Sequence, residues 1–165
     1  RVLVEVRMKV FINLKGEMMR KTLIFFCAMF LIASAVVFAE TLPNENAAKN
    51  LATKVMAKVA VGDLDAAFKI MKPYASLSST EIDSVAMQSK LSREQYKQRY
   101  GVSIGHEFID LKKAGDSLLR LRYIEKAEKN ALLWTFYFYK TKEGWILNAF
   151  YWNEDYKSLF NEEMK

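Results

Sequence analysis

Two neighbouring stretches carry apolar residues at the spacing of one helix face. The first runs from about Asn46 to Val61, and its apolar stripe consists of Ala48, Leu51, Ala52, Val55, Met56 and Val59. The second begins at Asp63, a favourable N-cap, and stops at Pro73; its apolar residues are Leu64, Ala67, Phe68 and Met71. The pattern predicts two helices joined as a hairpin, with Gly62 supplying a left-handed residue between them.

A third helical stretch follows after a short polar segment. Ser78-Ser79-Thr80-Glu81 has the pattern of a capping box, and the apolar residues behind it are Ile82, Val85 and Ala86. Ser92 predicts a new cap, followed by a short continuation through Tyr96 to Tyr100. Gly101 is the expected terminator of that continuation.

From Val102 onward the apolar period changes from helical to alternating. Four strands are predicted, at about Ile104 to Lys112, Leu118 to Lys126, Ala131 to Lys140 and Trp145 to Trp152. The gaps between them are short and hold turn residues such as Gly115, Asn130 and Gly144, so consecutive strands are expected to pair antiparallel as a meander. A short last helix is predicted from Asp155 to Glu163, with Leu159 and Phe160 against the sheet or its rim.

The third strand predicts which sheet face the helices cover. One of its sides carries Leu132, Trp134, Phe136 and Phe138, and the other carries Leu133, Thr135, Tyr137 and Tyr139. The first set has no hydroxyl that would need a partner in a core, so it should face the helices. On the second strand Leu119, Leu121 and Tyr123 match this set, which leaves Arg120 and Arg122 toward solvent. The predicted fold class is α+β, with three N-terminal helices packed on a curved four-stranded antiparallel meander and a short C-terminal helix.

Residues 20–39 have the anatomy of a secretory signal peptide. Arg20 and Lys21 precede an uncharged apolar run that ends before Glu40, and Val37 and Ala39 occupy the two positions that a signal peptidase reads. Cleavage between Ala39 and Glu40 is therefore predicted, and with it a periplasmic or secreted bacterial location. The alternative is an uncleaved membrane anchor, because the run approaches the ~20 residues that cross a bilayer. Membrane contact is expected only through this segment.

Residues 1–17 need a separate explanation, since nothing before Met18 is typical of an export signal. Lys15-Gly16-Glu17 can be encoded by a purine-rich sequence that resembles a bacterial ribosome-binding site. Our hypothesis is that residues 1–17 are untranslated leader or disordered, with Met18 or Met19 as the true start; the alternative is a genuine short N-terminal strand. The predicted organisation is then leader 1–17, signal peptide 18–39 and one domain over 40–165.

Trimming the N-terminal segment changes the interpretation of the charge. The whole chain has a formal net charge of +6, with 25 Lys and Arg against 19 Asp and Glu. Residues 1–39 hold six of the basic and two of the acidic residues, which leaves residues 40–165 with 19 basic, 17 acidic and a net charge of +2. No basic cluster interleaved with aromatic residues remains, so nucleic acid is not an expected partner. Cys27, the only cysteine, lies in the signal segment, and neither a metal site nor a cofactor is predicted.

Helices followed by a bent antiparallel sheet in a small exported domain resemble the nuclear transport factor 2-like superfamily of cone-shaped α+β folds. The resemblance is carried by the opening helix into Val61-Gly62-Asp63-Leu64-Asp65-Ala66-Ala67, by Leu91-Ser92-Arg93-Glu94-Gln95 up to Gly101, and by Glu143-Gly144-Trp145-Ile146-Leu147. It covers most of residues 46–153 and looks most like small exported bacterial members of unassigned role. It implies a cone-shaped cavity that binds a small apolar ligand or a peptide, with Tyr123, Trp134 and Phe136 among its lining residues.

Catalysis is the alternative function. Many catalytic members of that superfamily place an aspartate and a histidine inside the cone, but this chain has one histidine, His106. His106 and Asp110 share one side of the first predicted strand, where such a pair can take a proton in a lyase- or isomerase-like reaction. Asp63 and Asp65 also form a pair of carboxylates, although capping and the helix dipole already explain acidic residues in a first turn. The non-catalytic interpretation is preferred.

Aromatic residues are concentrated in the second half of the sheet. Twelve of the 22 Phe, Trp and Tyr residues fall between Tyr123 and Phe160. The last strand is apolar on both sides, with Trp145, Leu147 and Tyr151 predicted opposite Ile146, Phe150 and Trp152. Since members of the resembling superfamily often dimerise through the outer sheet face, we expect a homodimer formed through this face.

Overall fold

A computed structural model describes residues 39–161 of the chain. Three helices come first: α1 (Glu45–Val59), α2 (Leu64–Met71) and, after a 3-10 turn at Lys72–Tyr74, α3 (Ser79–Tyr100). Four strands and a last helix follow: β1 (Ser103–Ala114), β2 (Leu118–Ala127), β3 (Ala131–Lys140), β4 (Trp145–Asn153) and α4 (Ser158–Asn161). The predictions for residues 1–38, which include the leader, the start methionine and the body of the signal peptide, lie outside the described residues.

The four strands form one sheet in the order β1-β2-β3-β4, and each pair of neighbours is antiparallel. The predicted α+β class with an antiparallel meander is therefore confirmed. Short turns between consecutive strands favour this order, because a parallel pairing needs a crossover of a dozen residues or more.

The first two helices follow the sequence pattern closely. The buried residues of α1 and α2 are the predicted apolar stripes, without exception. The Asp63 side chain accepts a hydrogen bond from the Ala66 amide at 3.0 Å, which confirms its role as N-cap of α2. Gly62 between the helices has a φ of +76°, the left-handed conformation expected there.

Helix α3 differs from the prediction because it is one continuous helix of 22 residues. Ser78 and Glu81 form the predicted capping box, and Gly101 ends the helix with a φ of +85°. The predicted new start at Ser92 is wrong. No glycine or proline occurs between Ser79 and Tyr100, so the helical hydrogen bonds continue through Ser92.

The core lies between the helices and one face of the sheet. That face contributes Leu119, Leu121, Tyr123, Leu132, Trp134, Phe136 and Phe138, as predicted, and all seven are buried together with the stripes of α1 and α2. The Tyr123 hydroxyl lies 2.9 Å from the Thr53 hydroxyl of α1, and the Phe68 ring of α2 meets the edge of Phe150 at 5.6 Å. These contacts fix the helical hairpin on the sheet.

Within the described residues, the sheet has three register irregularities, at Ile104 and Ile109 in β1 and at Asn148 in β4, and the β-bulges at Ile109 and Asn148 change the face on which predicted residues lie. In β1, Phe108 pairs with Tyr123 but Asp110 pairs with Arg122, so Ile109 is the extra residue. In β4, Ala149 pairs with Tyr137 while Leu147 pairs with Phe138, so Asn148 is the extra residue. Each bulge reverses the alternation of side chains beyond it.

Three predictions about individual side chains are wrong, the first two because of these bulges. Arg122 is buried rather than toward solvent, because the bulge in β1 places Asp110 beside it on the outer face and the two form an ion pair. Tyr151 lies on the outer face, whereas Phe150 and Trp152 lie on the core face. The third concerns Phe160, which is 70% exposed in an α4 shorter than predicted.

The residues just before α1 already bond to the rest of the domain. Glu40, the predicted first residue after cleavage, donates its backbone N–H to the Pro73 carbonyl at 2.7 Å. Leu42 is buried and exchanges two backbone hydrogen bonds of 2.8 Å with Trp145 at the edge of β4. Residues from Ala39 onward group as one compact unit.

Candidate functional site

The three predicted ligand-binding residues lie in the filled core. Tyr123, Trp134 and Phe136 each have at most 1% of their surface exposed. The Trp134 and Phe136 rings lie 6.1 Å apart, and Phe136 meets Tyr123 at 6.0 Å. The structure therefore brings the three together as packing against one another, and they do not line the groove described below.

The predicted His106–Asp110 pair is not assembled. His106 is the register partner of Glu125, on the core face, whereas Asp110 pairs with Arg122 on the outer face because of the bulge at Ile109. The Asp110 carboxylate accepts a hydrogen bond from Arg122 Nε at 3.0 Å and lies 3.5 Å from Arg120. The two residues thus lie on opposite sides of the sheet.

The carboxylate that lies beside His106 in the sheet is Glu125, which has no exposed surface. One of its oxygens accepts a hydrogen bond from Trp134 Nε1 at 2.8 Å. The other is bound by Arg93, which reaches it from α3. A general base must reach the proton of its substrate, whereas Glu125 is fully buried and each of its oxygens already accepts a hydrogen bond.

Arg93 is held in place by rings as well as by Glu125. Its guanidinium carbon lies 5.3 Å from the centre of the Tyr96 ring and 5.6 Å from that of Trp152. Only 12% of the Arg93 side chain is exposed. The fold tolerates the two buried charges because each compensates the other. The aromatic faces exclude water from the pair.

Three buried polar atoms beside this pair have no hydrogen-bond partner among the described residues. They are Arg93 Nη1, Tyr96 Oη and Ser103 Oγ. Burial and, next, the negative charge of Glu125 raise the pKa of Tyr96 from its ordinary value of 10.0 to about 12, so its hydroxyl is neutral at physiological pH. Buried polar atoms are nearly always paired in folded proteins, and an unpaired one costs about 1–3 kcal/mol.

All three residues line one groove between α3, the turn joining α1 to α2, and the start of β1. The groove has a volume of about 910 Å³. Four apolar side chains form its exposed edge, each between 46% and 74% exposed: Val61, Met87, Leu91 and Val102. The groove therefore combines exposed apolar edges with a floor, formed by Arg93, Tyr96 and Ser103, whose buried polar atoms lack a partner within residues 39–161.

The charged residues around the groove largely compensate one another. Lys90 of α3 binds Asp65 of α2 at 2.8 Å, across the groove. Asp83 binds Lys72 at 2.7 Å. Asp63 accepts the capping bond of α2, and Glu94 and Lys97 add one charge of each sign. The groove is thus lined by four acidic and three basic side chains, so neither sign dominates strongly.

Sequence reasoning assigned no role to Arg93, Glu125 or Ser103. Glu125 did carry a signal, because it follows Leu121 and Tyr123 on the inward-facing positions of β2. A carboxylate in that series predicts a buried partner. The sequence pattern does not show how α3 crosses the sheet, so it could not identify Arg93 as the partner of Glu125.

Asp63 and Asp65 have structural partners, since Asp63 caps α2 and Asp65 binds Lys90. Within residues 39–161, no group of three His, Cys, Asp or Glu side chains is arranged to hold a metal ion. None of the helices in that part of the chain is both long and apolar enough to cross a membrane.

Comparisons with protein-family models, with curated proteins and with solved structures found no match for this chain.

Proposed function

We propose that this chain is an exported, non-catalytic binding domain and that its ligand or protein partner occupies the groove beside α3. The observation that carries the proposal is the coincidence, in one groove, of exposed apolar edges and three buried polar atoms that have no partner in the described part of the chain. The signal-peptide pattern of residues 20–39 supports a periplasmic or secreted location.

The groove is a place where the fold tolerates unfavourable surface of two kinds. Exposed Met87 and Leu91 are unfavourable in water, and unpaired Tyr96 Oη is unfavourable in the interior. Exposed apolar residues alone are common on a small domain, but unpaired buried polar atoms are not. A bound molecule relieves both at once, because it covers the apolar edge and supplies hydrogen-bond partners to the floor.

The lyase- or isomerase-like alternative is weaker for two reasons. His106 and Asp110 lie on opposite faces of the sheet, and the carboxylate beside His106 is engaged by Arg93 and Trp134. A non-catalytic role does not depend on a free histidine or a free carboxylate.

The superfamily assignment is part of the same proposal. Three helices ahead of a four-stranded antiparallel meander support membership of the nuclear transport factor 2-like superfamily, with a curved, cone-shaped sheet. Tyr139 and Tyr151 on the outer face are each 44% exposed, which supports homodimerisation through that face. Light scattering that finds a strict monomer at high protein concentration would remove the dimer from the proposal.

Native mass spectrometry of protein purified from its own cell envelope tests the binding role. We expect a retained mass, or a bound partner, that is lost in Leu91→Lys, because this change puts a charge on the apolar edge without touching the core. Gln88→Lys is the matched control, since it adds the same charge to an exposed site of α3 outside the groove. Equal retention by both variants, or no retained species with the wild type, would contradict the proposed function.

A further inference from the structure

We propose that the groove recognises an uncharged hydrogen-bond acceptor, the carbonyl of a peptide bond within an apolar segment, and does not recognise an anion. This inference rests on the proposed function, because it names the class of ligand for the same groove. It follows from the charge balance around Arg93 and from the residues that surround the three partnerless polar atoms.

Arg93 is a donor whose charge is already compensated. Its guanidinium binds the fully buried carboxylate of Glu125, while its Nη1 atom has no partner among the described residues. A carboxylate or phosphate on Nη1 would place a second negative charge beside one guanidinium in a poorly solvated site, where uncompensated charge is most unfavourable. A carbonyl oxygen accepts the same hydrogen bond and adds no charge.

The surroundings offer an anion little further compensation. Lys90 is bound to Asp65 and Lys72 to Asp83, and Lys97 shares the groove with Glu94. The other two atoms of the floor belong to hydroxyls, Tyr96 Oη and Ser103 Oγ. A neutral hydroxyl both donates and accepts, so these two atoms match the carbonyl and the N–H of a peptide unit.

The apolar edge favours a peptide over a bare polar molecule. Met87 and Leu91 lie one helical turn apart on α3, and Val61 and Val102 belong to the two segments that complete the groove. A groove of about 910 Å³ accommodates a few residues of extended chain. A water molecule enclosed in the floor would pair the same polar atoms but leave this edge exposed, and the experiment below separates the two.

The test is an NMR titration of the exported protein with three probes. The first is a tetrapeptide of apolar residues with acetyl and amide ends; the second and third are octanamide and octanoate, which share a tail and differ in the charge of the head group. We expect the peptide and octanamide to shift the amide resonances of Val61, Met87, Leu91 and Val102, with the peptide binding more tightly. Octanoate should bind at least tenfold more weakly than octanamide.

Each other result overturns the inference. Octanoate binding as tightly as octanamide would show that the groove takes anions, and octanamide binding more tightly than the peptide would show that it takes small amides. If no probe shifts these resonances at millimolar concentration, the floor holds only enclosed water. In each case a species retained by the wild type and lost in Leu91→Lys would leave the proposed function standing, so the two failures are distinguishable.

Two variants connect the hydroxyls to binding. Tyr96→Phe and Ser103→Ala each remove a hydroxyl that lacks a partner among residues 39–161, so the free protein should melt at the same or a higher temperature while the peptide binds roughly tenfold more weakly. Tyr123→Phe is the matched control, since its hydroxyl is bonded to Thr53, and it should lower the melting temperature without changing peptide affinity. A Tyr96→Phe protein that melts lower and binds the peptide normally would assign the hydroxyl to the fold and overturn the inference.

Discussion

At the scale of single residues, Glu125 and Arg93 carry the largest electrostatic consequence. Glu125 has no exposed surface, and Arg93 and Trp134 engage its two oxygens. Removing one member of such a pair leaves the other charge buried and uncompensated, and that penalty far exceeds the value of an exposed ion pair. The pair therefore holds α3 against the sheet mainly because losing one partner would leave a buried charge uncompensated. The net attraction between the two charges contributes less.

Glu125→Gln should lower the free energy of unfolding by about 3–5 kcal/mol, because Arg93 then stays buried without its counter-charge. Urea unfolding followed by circular dichroism measures the change. The double variant Arg93→Met with Glu125→Leu removes both charges and should be less destabilised than the sum of the single changes predicts. A loss below about 1 kcal/mol for Glu125→Gln would contradict the buried pair.

Tyr96 predicts a specific pH dependence. Its pKa is raised to about 12 in the folded protein, mainly by burial, against about 10 when unfolded. Between these values the unfolded chain loses the proton that the folded protein keeps. The stability contributed by the neutral phenol is thus complete below pH 10 and falls by on the order of 2 kcal/mol as the pH rises to 12. Urea midpoints at several pH values between 9 and 12 should fall less steeply for Tyr96→Phe than for the wild type. Equal decreases of the urea midpoint with pH in the two proteins would contradict the raised pKa of Tyr96.

At the scale of elements, the two glycines that end helices differ in their surroundings. Gly62 and Gly101 both have positive φ, so alanine at either site carries a backbone penalty of about 1 kcal/mol. A Cβ at Gly62 meets nothing within 4 Å, whereas one at Gly101 lies 2.9 Å from the Cβ of Glu128. Gly101→Ala should therefore be more destabilising than Gly62→Ala, by an amount that urea unfolding reports directly. Equal decreases in the free energy of unfolding for the two variants would indicate that the β2–β3 turn at Glu128 moves away from the added Cβ at little cost.

The elements predicted best are those specified by local chemistry. The stripe of α1, the Asp63 cap and the Ser78–Glu81 capping box depend on residues within a few positions of one another, and all are confirmed. The bulges at Ile109 and Asn148 are not visible in an alternating pattern, because a single extra residue leaves the apolar content of the strand unchanged. The burial of Arg122 and the exchange of faces in β4 were consequently missed.

The candidate site was predicted poorly for a related reason. Tyr123, Trp134 and Phe136 are correctly placed on the inner face, but an inner face can be filled by neighbouring side chains as well as line a cavity. The groove instead depends on how α3 lies beside the turn at Gly62. That crossing brings Arg93 and Tyr96 to the same groove as the turn at Gly62, which is distant in sequence, and periodicity does not report such long-range contacts.

At the scale of the whole molecule, the segment ahead of α1 connects the predicted cleavage site to the core. Leu42 is buried and bonded to Trp145 at the outer edge of β4, while Glu40 donates to the Pro73 carbonyl behind α2. The amino group left at Glu40 by cleavage can still donate to that carbonyl. Processing at the predicted bond is therefore compatible with the folded domain as it stands.

Two truncated chains separate the contribution of this segment from that of residues 1–39. A chain that begins at Glu40 keeps both connections, so it should unfold cooperatively, and the exported protein should have Glu40 as its N-terminus by mass spectrometry. A chain that begins at Pro43 loses the burial of one leucine and three backbone hydrogen bonds, which should reduce the free energy of unfolding by about 3 kcal/mol relative to the chain beginning at Glu40. Urea unfolding of the two chains measures this difference. Equal midpoints would show that residues 40–42 add nothing to the core, and a cooperative transition absent from both would show that the domain needs residues before Glu40.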